Sequence, residues 1–250
     1  MTLLSLATWG CRIKEPIYEY IRKNSESTDI FCFQEILKGG TGKTQRGETK
    51  SAYEDIAKLL PNHVGYFSEY GEGGYFSESS KNLDFKYGIA CFARVDLKQS
   101  FTEAVGLFEP ERKWNDYSGR FAAGVALAIQ VENYAVINVH GLWQGSIKTD
   151  TEAKIEQSKK ILALAQKTEG RKIICGDFNL LPDTKSIKML EDKYKNLIKE
   201  YGIKDTRSSL YPKEIRYADY AFVDKDITLK NFSVPDLNVS DHLPLVLDFK

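Results

Sequence analysis

The 250-residue chain predicts an α/β domain in which sheets are covered by helices, and three features carry that prediction. Short apolar runs with strand character outnumber the helical patterns. The helical patterns fall between groups of strands instead of forming one block. No internal repeat, low-complexity segment or linker breaks the sequence, so residues 1–250 are expected to form a single domain. The bulk composition agrees, since 42% hydrophobic residues is ordinary for a globular protein. Lys and Arg number 35, as do Asp and Glu. That balance removes a net basic field as a reason to bind nucleic acid and leaves only a local basic face.

In chain order, residues 3–9 read as a short apolar strand. Residues 14–24 read as a helix, with Ile17, Tyr20 and Ile21 at helical spacing. Thr28-Asp29 punctuates, and the unbroken run Ile30-Phe31-Cys32-Phe33 predicts a strand buried on both faces that ends in Gln34-Glu35. Residues 38–50, rich in Gly, Thr and Lys, predict a mobile loop. Its Lys38, Lys43, Arg46 and Lys50 make either a solvated loop or the best electrostatic contact for a nucleic acid. A helix at 51–60 closes at Pro61, a strand follows at 63–67, and His63 reads as a surface residue in the turn before it. Residues 71–82 form a glycine- and serine-rich excursion. Strands at 88–94, 98–105, 120–130 and 134–139 read as a β-meander. The clearest helix is 151–166, N-capped by Asp150 or Thr151. Then come a strand at 172–175, a helix at 186–199, and strands at 217–223, 226–234 and 243–249.

Four cysteines, at 11, 32, 91 and 175, share no short spacing. A cysteine metal centre or a disulfide framework is not expected, and Cys32 and Cys175 read as small buried hydrophobes. This suits a reducing compartment, and the cytoplasm is the expected location. Residues 1–7 lack a basic region and a long apolar core, and no run approaches the roughly 18 apolar residues of a membrane span.

The polar residues then show a recurrence. Lys172 to Cys175 runs apolar to Gly176, after which Asp177 and Asn179, two apart, project to one face. Turn chemistry alone explains these residue types. Yet Glu35, His140, Asp219 and the pair Asp241-His242 stand at the ends of other apolar strands. A charge at a core boundary is costly unless it is paired or bound to a cation, so their repetition points to one shared pocket. Carboxylates, an amide and histidines without cysteine form an oxygen-rich set that suits Mg²⁺ or Mn²⁺ better than zinc. A histidine beside an aspartate suits general acid–base work or charge stabilisation.

Gln34-Glu35, Asn138-Val139-His140, Gly176-Asp177-Phe178-Asn179, residues 217–223 (YADYAFV) and residues 240–245 (SDHLPL) stand in the order and approximate spacing of the endonuclease/exonuclease/phosphatase superfamily, which the whole chain resembles. The resemblance implies a four-layer α/β sandwich, with two mixed β-sheets face to face and helices on the outside. It implies Mg²⁺-dependent hydrolysis of a phosphodiester or phosphomonoester. Glu35 looks like the metal ligand, with Asp241 able to supply a further contact. Asp177 looks like the residue that orients or deprotonates the attacking water, and Asn179 like the neighbour that contacts the phosphate. Asp241 looks like the acid that orients His242, and His242 like the group that stabilises the phosphorane-like transition state. Asp219 looks like the acid that supports the site or polarises a histidine. His140 looks like the histidine that reaches the phosphate or leaving group. Arg120 is either a solvated strand end or a further phosphate contact. Trp143, Gln144 and Lys148 are either substrate contacts or a packed loop.

Two positions depart from the pattern. The family's asparagine after a first-strand aromatic is expected at Gly10, which has no side chain, so water, Asp241 or a nearby loop residue would have to take its place. The family's second acid, upstream of Tyr87, has Asn82, Asp84 or Glu78 as candidates. The expected substrate is nucleic acid, cut by a nuclease. A small or lipid-derived phosphate ester is the alternative, and a non-catalytic binding module with the same fold is a further one. A monomer is expected.

Overall fold

The computed structural model describes residues 1–70, 84–108, 124–145 and 147–250. Twelve strands among these form two mixed six-stranded sheets. The first sheet is built from β1 (Thr2–Ala7), β2 (Ile30–Lys38), β3 (His63–Glu69), β4 (Lys86–Arg94), β11 (Leu229–Ser233) and β12 (Leu245–Phe249), in the order β11-β12-β1-β2-β4-β3. The second is built from β5 (Gln99–Phe108), β6 (Gly124–Val131), β7 (Tyr134–His140), β8 (Arg171–Asp177), β9 (Lys195–Asn196) and β10 (Asp219–Val223), in the order β5-β6-β7-β8-β10-β9. Each sheet has one parallel pair at its centre, β1 with β2 and β7 with β8.

Strand periodicity explains the layers. Leu3, Cys32 and Cys91 face the second sheet and join Val136, Ile173 and Cys175 in the inter-sheet core, while Ile137 and Ile174, one residue along their strands, face the opposite side. Leu4, Leu6, Phe31, Phe33 and Phe92 face the other way. They pack against Ile17 and Ile21 of α1 (Lys14–Asn24) and Ile56 of α2 (Ala52–Leu59). On the outer side of the second sheet lie α3 (Glu152–Lys167) and α4 (Lys185–Glu191), with the short α5 (Leu197–Glu200) beside β10. This is the expected four-layer sandwich. A buried polar staple crosses between the sheets. Gln34 Nε2 donates to Asn138 Oδ1 at 2.6 Å, and Asn138 Nδ2 donates to the carbonyls of Phe33 (3.1 Å) and Ala90 (3.0 Å).

Several local expectations change. The strand expected at 3–9 ends at Ala7, and Trp9–Cys11 make a single 3₁₀ turn. The expected meander divides between the sheets: β4 pairs with β2 and β3, whereas β5, β6 and β7 run consecutively in the other sheet. The helix expected at 186–199 breaks into α4 and α5, because Asn196 leaves the helix to pair with Phe222. Its Oδ1 then caps α5 by accepting from the amides of Ile198 and Lys199. His63 is half-buried, with Nε2 on Thr28 O at 2.9 Å. The loop after β2 is tied down instead of free: Thr49 N donates to Gly10 O at 2.8 Å and Lys50 N to Gly42 O at 3.0 Å. All four cysteines are buried and unbridged. No described helix is long and apolar enough to cross a membrane.

Candidate active site

The polar residues meet where the parallel pairs end. In the second sheet His140, Asp177 and Asp219 are register partners across β7, β8 and β10, so three adjacent strands present them side by side. Asn179 lies two residues beyond, in a left-handed conformation (φ 54°), and its amide donates to Asp177 Oδ1 at 2.7 Å. Glu35 does not end its strand. It sits in a β-bulge where the pairing of β2 with β4 slips between Phe33 and Ile36, again with positive φ (58°). A bulge re-aims a side chain without ending the sheet, and here it accompanies a carboxylate that lines the cavity. Asp241 and His242 stand just before β12, which is antiparallel to β1, so they reach the same rim. Glu35, His140, Asp177, Asn179, Asp241 and His242 all line one cavity of about 240 Å³, together with Trp9, Arg12, Glu48, Tyr70, Trp143, Arg207 and Tyr211.

Asp177 is the centre of this arrangement. Its Oδ2 lies 3.8 Å from His140 Nε2, 3.7 Å from His242 Nε2 and 3.8 Å from Arg207 Nη2. These distances are beyond direct hydrogen bonds, so the oxygen has cationic or donor groups around it and, among the described residues, no direct hydrogen-bond donor. Burial alone would raise its pKa, but His242, Lys148, Arg207 and His140 outweigh burial and hold it at about 2. Glu35 goes the opposite way. Loss of water and the nearby Asp241 carboxylate push it up to about 7. Among the described residues no hydrogen bond holds the Glu35 carboxylate.

The two histidines differ in their support. His242 Nδ1 lies 2.9 Å from each oxygen of Asp219. Burial and the Arg207 charge oppose its protonation, yet Asp219 and Asp241 outweigh them, and the ring is held above its ordinary pKa. The acid on the His242 ring is therefore Asp219, expected either to support the site or to polarise a histidine, and not Asp241, expected to orient His242. Asp241 turns away because Arg207 Nη1 donates to its Oδ2 at 3.0 Å. Among the described residues no acid bonds His140 Nδ1. That nitrogen bonds the phenol of buried Tyr70, with the rings edge-on at 5.3 Å. Burial lowers His140 to about 4, against the pull of Asp177, so it is neutral at pH 7. A phenol that donates to Nδ1 leaves the ring proton on Nε2, toward the cavity. Of the candidates for the family's second acid upstream of Tyr87, Asp84 pairs with Lys50 (2.8 Å), and Asn82 and Glu78 lie outside the described residues. Arg120 also lies outside them.

Behind Asn179, the buried Lys148 donates from Nζ to Asn179 Oδ1, and Lys154 donates to Asn179 O at 3.0 Å. Lys148 thus packs beneath the site. Burial lowers it to about 8, so it keeps its charge near neutrality. Trp143 lines the cavity, while Gln144 Oε1 accepts from Thr151 at 2.9 Å.

A hard cation fits the Glu35–Asp241 side. The available donors are carboxylate oxygens, and Glu35 is crowded by a second acid with no hydrogen bond to relieve it. Asp177, Asp219 and His242 also offer ligand atoms within 4.8 Å of one another. Asp219 there faces His242 Nδ1 with both oxygens, which makes that group a proton-bearing relay more than a metal cage.

Residues 9–242 match the family model described as the Endonuclease/Exonuclease/phosphatase family. The chain belongs to this family, whose members are generally hydrolytic phosphoesterases and typically depend on a divalent metal. Solved structures share the fold at low identity. An endonuclease/exonuclease/phosphatase from Bacteroides vulgatus aligns with 100% of this chain and 98% of its own, at 15% identity and a TM-score of 0.68. A mannosyl-6-phosphatase from Bacteroides thetaiotaomicron aligns with 100% and 99%, at 16% identity and 0.65. The human nocturnin catalytic domain aligns with 100% and 93%, at 17% identity and 0.61. No curated protein matches in sequence.

Sequence reasoning missed Arg207, Tyr70, Glu48 and Arg12. Arg207 had one available signal, an arginine between the hydroxyl residues Thr206 and Ser208. Tyr70 was one of 14 tyrosines, with nothing in its neighbours to separate it from the rest.

Proposed function

We propose that the protein is a Mg²⁺- or Mn²⁺-dependent hydrolase of small phosphate esters. The observation that carries the reading is Asp177 Oδ2, ionised and ringed at 3.7–3.8 Å by His140, His242 and Arg207. Glu35 and Asp241 would hold the cation, which, when bound, neutralises charge growing on a non-bridging phosphate oxygen. Asp177 accepts a hydrogen bond from the attacking water and orients its lone pair toward phosphorus. His242, whose protonation Asp219 favours, donates from Nε2 to a phosphate oxygen. Neutral His140 offers its Nε2–H, and Arg207 adds a fixed positive charge beside Asp177. These donors face the place where negative charge develops, where preorganised donors lower a barrier most.

A small ester is favoured over a duplex by the size of the cavity, about 240 Å³, and by the state of the basic loop. Lys38 lies over the rings of Tyr53 and Phe67, Lys43 donates to Arg12 O, and Lys50 pairs with Asp84. Three cations considered for nucleic acid are thus engaged within the protein. The sugar phosphate implied by the name of the Bacteroides thetaiotaomicron neighbour is consistent with this substrate class.

The test is a turnover panel with Mg²⁺, Mn²⁺ and EDTA. It includes bis-p-nitrophenyl phosphate, p-nitrophenyl phosphate, a hexose 6-phosphate, RNA, single-stranded DNA and plasmid. Metal-dependent turnover of the small esters is expected. Asp177→Ala and His242→Ala should each lower kcat at least ~100-fold while remaining folded. Plasmid as the best substrate would return the protein to the nucleases. No turnover of any ester by the folded protein would support a binding module instead.

A further inference from the structure

Gly10 opens a second part of the cavity. A Cβ built there would lie 2.3 Å from Glu48 Cγ and 2.6 Å from Glu48 Cβ, so only glycine lets Glu48 enter. Trp9, Gly10 and Cys11 all have positive φ, at 54°, 63° and 51°. For the two non-glycine residues this conformation is strained, and it persists because surrounding contacts impose it. Those contacts come from the loop: Thr49 N holds Gly10 O, and Thr49 Oγ1 donates to Cys11 O at 3.0 Å. The product is a buried Glu48 whose Oε1 accepts from Arg12 Nη2 at 2.5 Å, with Thr44 Oγ1 on Oε2. The Arg12 guanidinium in turn lies 5.0 Å over the Trp9 ring, and its Nε is buried without a hydrogen-bond partner among the described residues. Trp9, Arg12 and Glu48 line the same cavity as Asp177 and His242.

Resting on the phosphoesterase reading above, we propose that Glu48, Arg12 and Trp9 form a recognition subsite for a ring bearing vicinal hydroxyl groups, carried by the same molecule as the phosphate ester. A carboxylate beside a guanidinium presents an acceptor next to donors, and adjacent hydroxyls, each both donor and acceptor, match that pattern. The pair is internally neutralised, so it adds no net attraction for a second phosphate. An unpaired arginine would suit a polyanion better. The indole supplies an apolar face for the C–H side of such a ring, and the paired charges stay hydrogen-bonded when water leaves. Gly10, which lacks the asparagine side chain, is here the opening through which the loop delivers a substrate-reading acid.

Hexose phosphates and ribonucleotides share this hydroxyl chemistry, and the test separates them. Catalytically silenced Asp177→Asn protein with Mg²⁺ is titrated by calorimetry. The probes are glucose 6-phosphate, its 2-deoxy counterpart, adenosine 5′-monophosphate and its 2′-deoxy counterpart. Within the preferred pair, the hydroxylated ester should bind about tenfold more tightly. Adding Glu48→Gln, or separately Arg12→Met, should remove that preference, with melting temperature read in parallel to confirm folding. Equal affinity of hydroxylated and deoxy esters in both pairs overturns the subsite. So does a preference that survives both substitutions, or no binding of any probe. Turnover of bis-p-nitrophenyl phosphate, which has no hydroxyls, is measured separately on the wild type. Its absence would sink the hydrolase reading while hydroxyl-dependent binding kept the subsite.

Discussion

Glu35 works against the stability of the fold, and its sign can be worked out. Its folded pKa is about 7 against an ordinary 4.5. Below 4.5 the carboxyl is neutral folded and unfolded, so nothing is lost. Between 4.5 and 7 the unfolded chain ionises first, and the penalty grows. Above 7 it is complete, on the order of 3 kcal/mol at 1.36 kcal/mol per unit. Glu35→Gln should therefore raise the melting temperature at pH 8 in EDTA, with the gain shrinking as pH falls toward 4.5. Mg²⁺ should stabilise the wild type at pH 8 and the variant far less. Thermal melts across that range check both. His242 gives a different limb. Its imidazolium is present below a raised pKa and lost as pH rises through it, so metal-activated turnover should fall on the alkaline side. Asp219→Asn should move that fall to lower pH and reduce kcat by about 100-fold, read from a pH–rate profile. For Tyr70→Phe, ¹⁵N spectra of His140 should show loss of the single Nε2–H tautomer, with a kcat loss of about tenfold. An unchanged ring spectrum would argue against the phenol's orienting role. The acids and histidines were legible in the sequence because ionisable groups at the rims of apolar strands need an explanation. Tyr70 was not, because a phenol is an ordinary core residue until its partner is seen. Nor was the pairing of Asp241 with Arg207, which leaves Asp219 as the acid on His242 Nδ1.

At the scale of elements, the parallel pair β7–β8 depends on Gly176. Its φ is +133°, and an added Cβ would sit 2.0 Å from Val139 O, a backbone atom that cannot step aside. Gly176→Ala should cost at least ~3 kcal/mol in denaturant melts and move Asp177, its neighbour. The helices α1, α2 and α3 were readable from apolar spacing and, for α3, from the Thr151 cap that accepts from Lys154 N at 3.3 Å. Residues 186–199 were misread because Leu197 and Ile198 continue a helical pattern, while the competing partner of Asn196, Phe222 on β10, is distant in sequence. The bulge at Glu35 was equally hidden: an unbroken apolar run gives no period from which to detect one extra residue.

The whole molecule joins its sheets through a largely apolar core that Gln34 and Asn138 cross with a hydrogen bond. Removing Asn138 leaves the carbonyls of Phe33 and Ala90 without their donor, so Asn138→Leu should destabilise by about 2–4 kcal/mol in equilibrium unfolding. It should also weaken catalysis, since Phe33 adjoins the bulge that carries Glu35. The layered architecture was legible as a resemblance carried by short motifs. Which sheet each middle strand joins was not, because alternation along a strand says nothing about its neighbour. Positive φ at Trp9, Glu35 and Asn179 has a further consequence for laboratory evolution. Glycine would relieve backbone strain at each of these cavity-lining positions. A library sorted only for heat resistance would therefore tend to enrich replacements that erase the site, and thermostabilising campaigns should hold these three codons fixed.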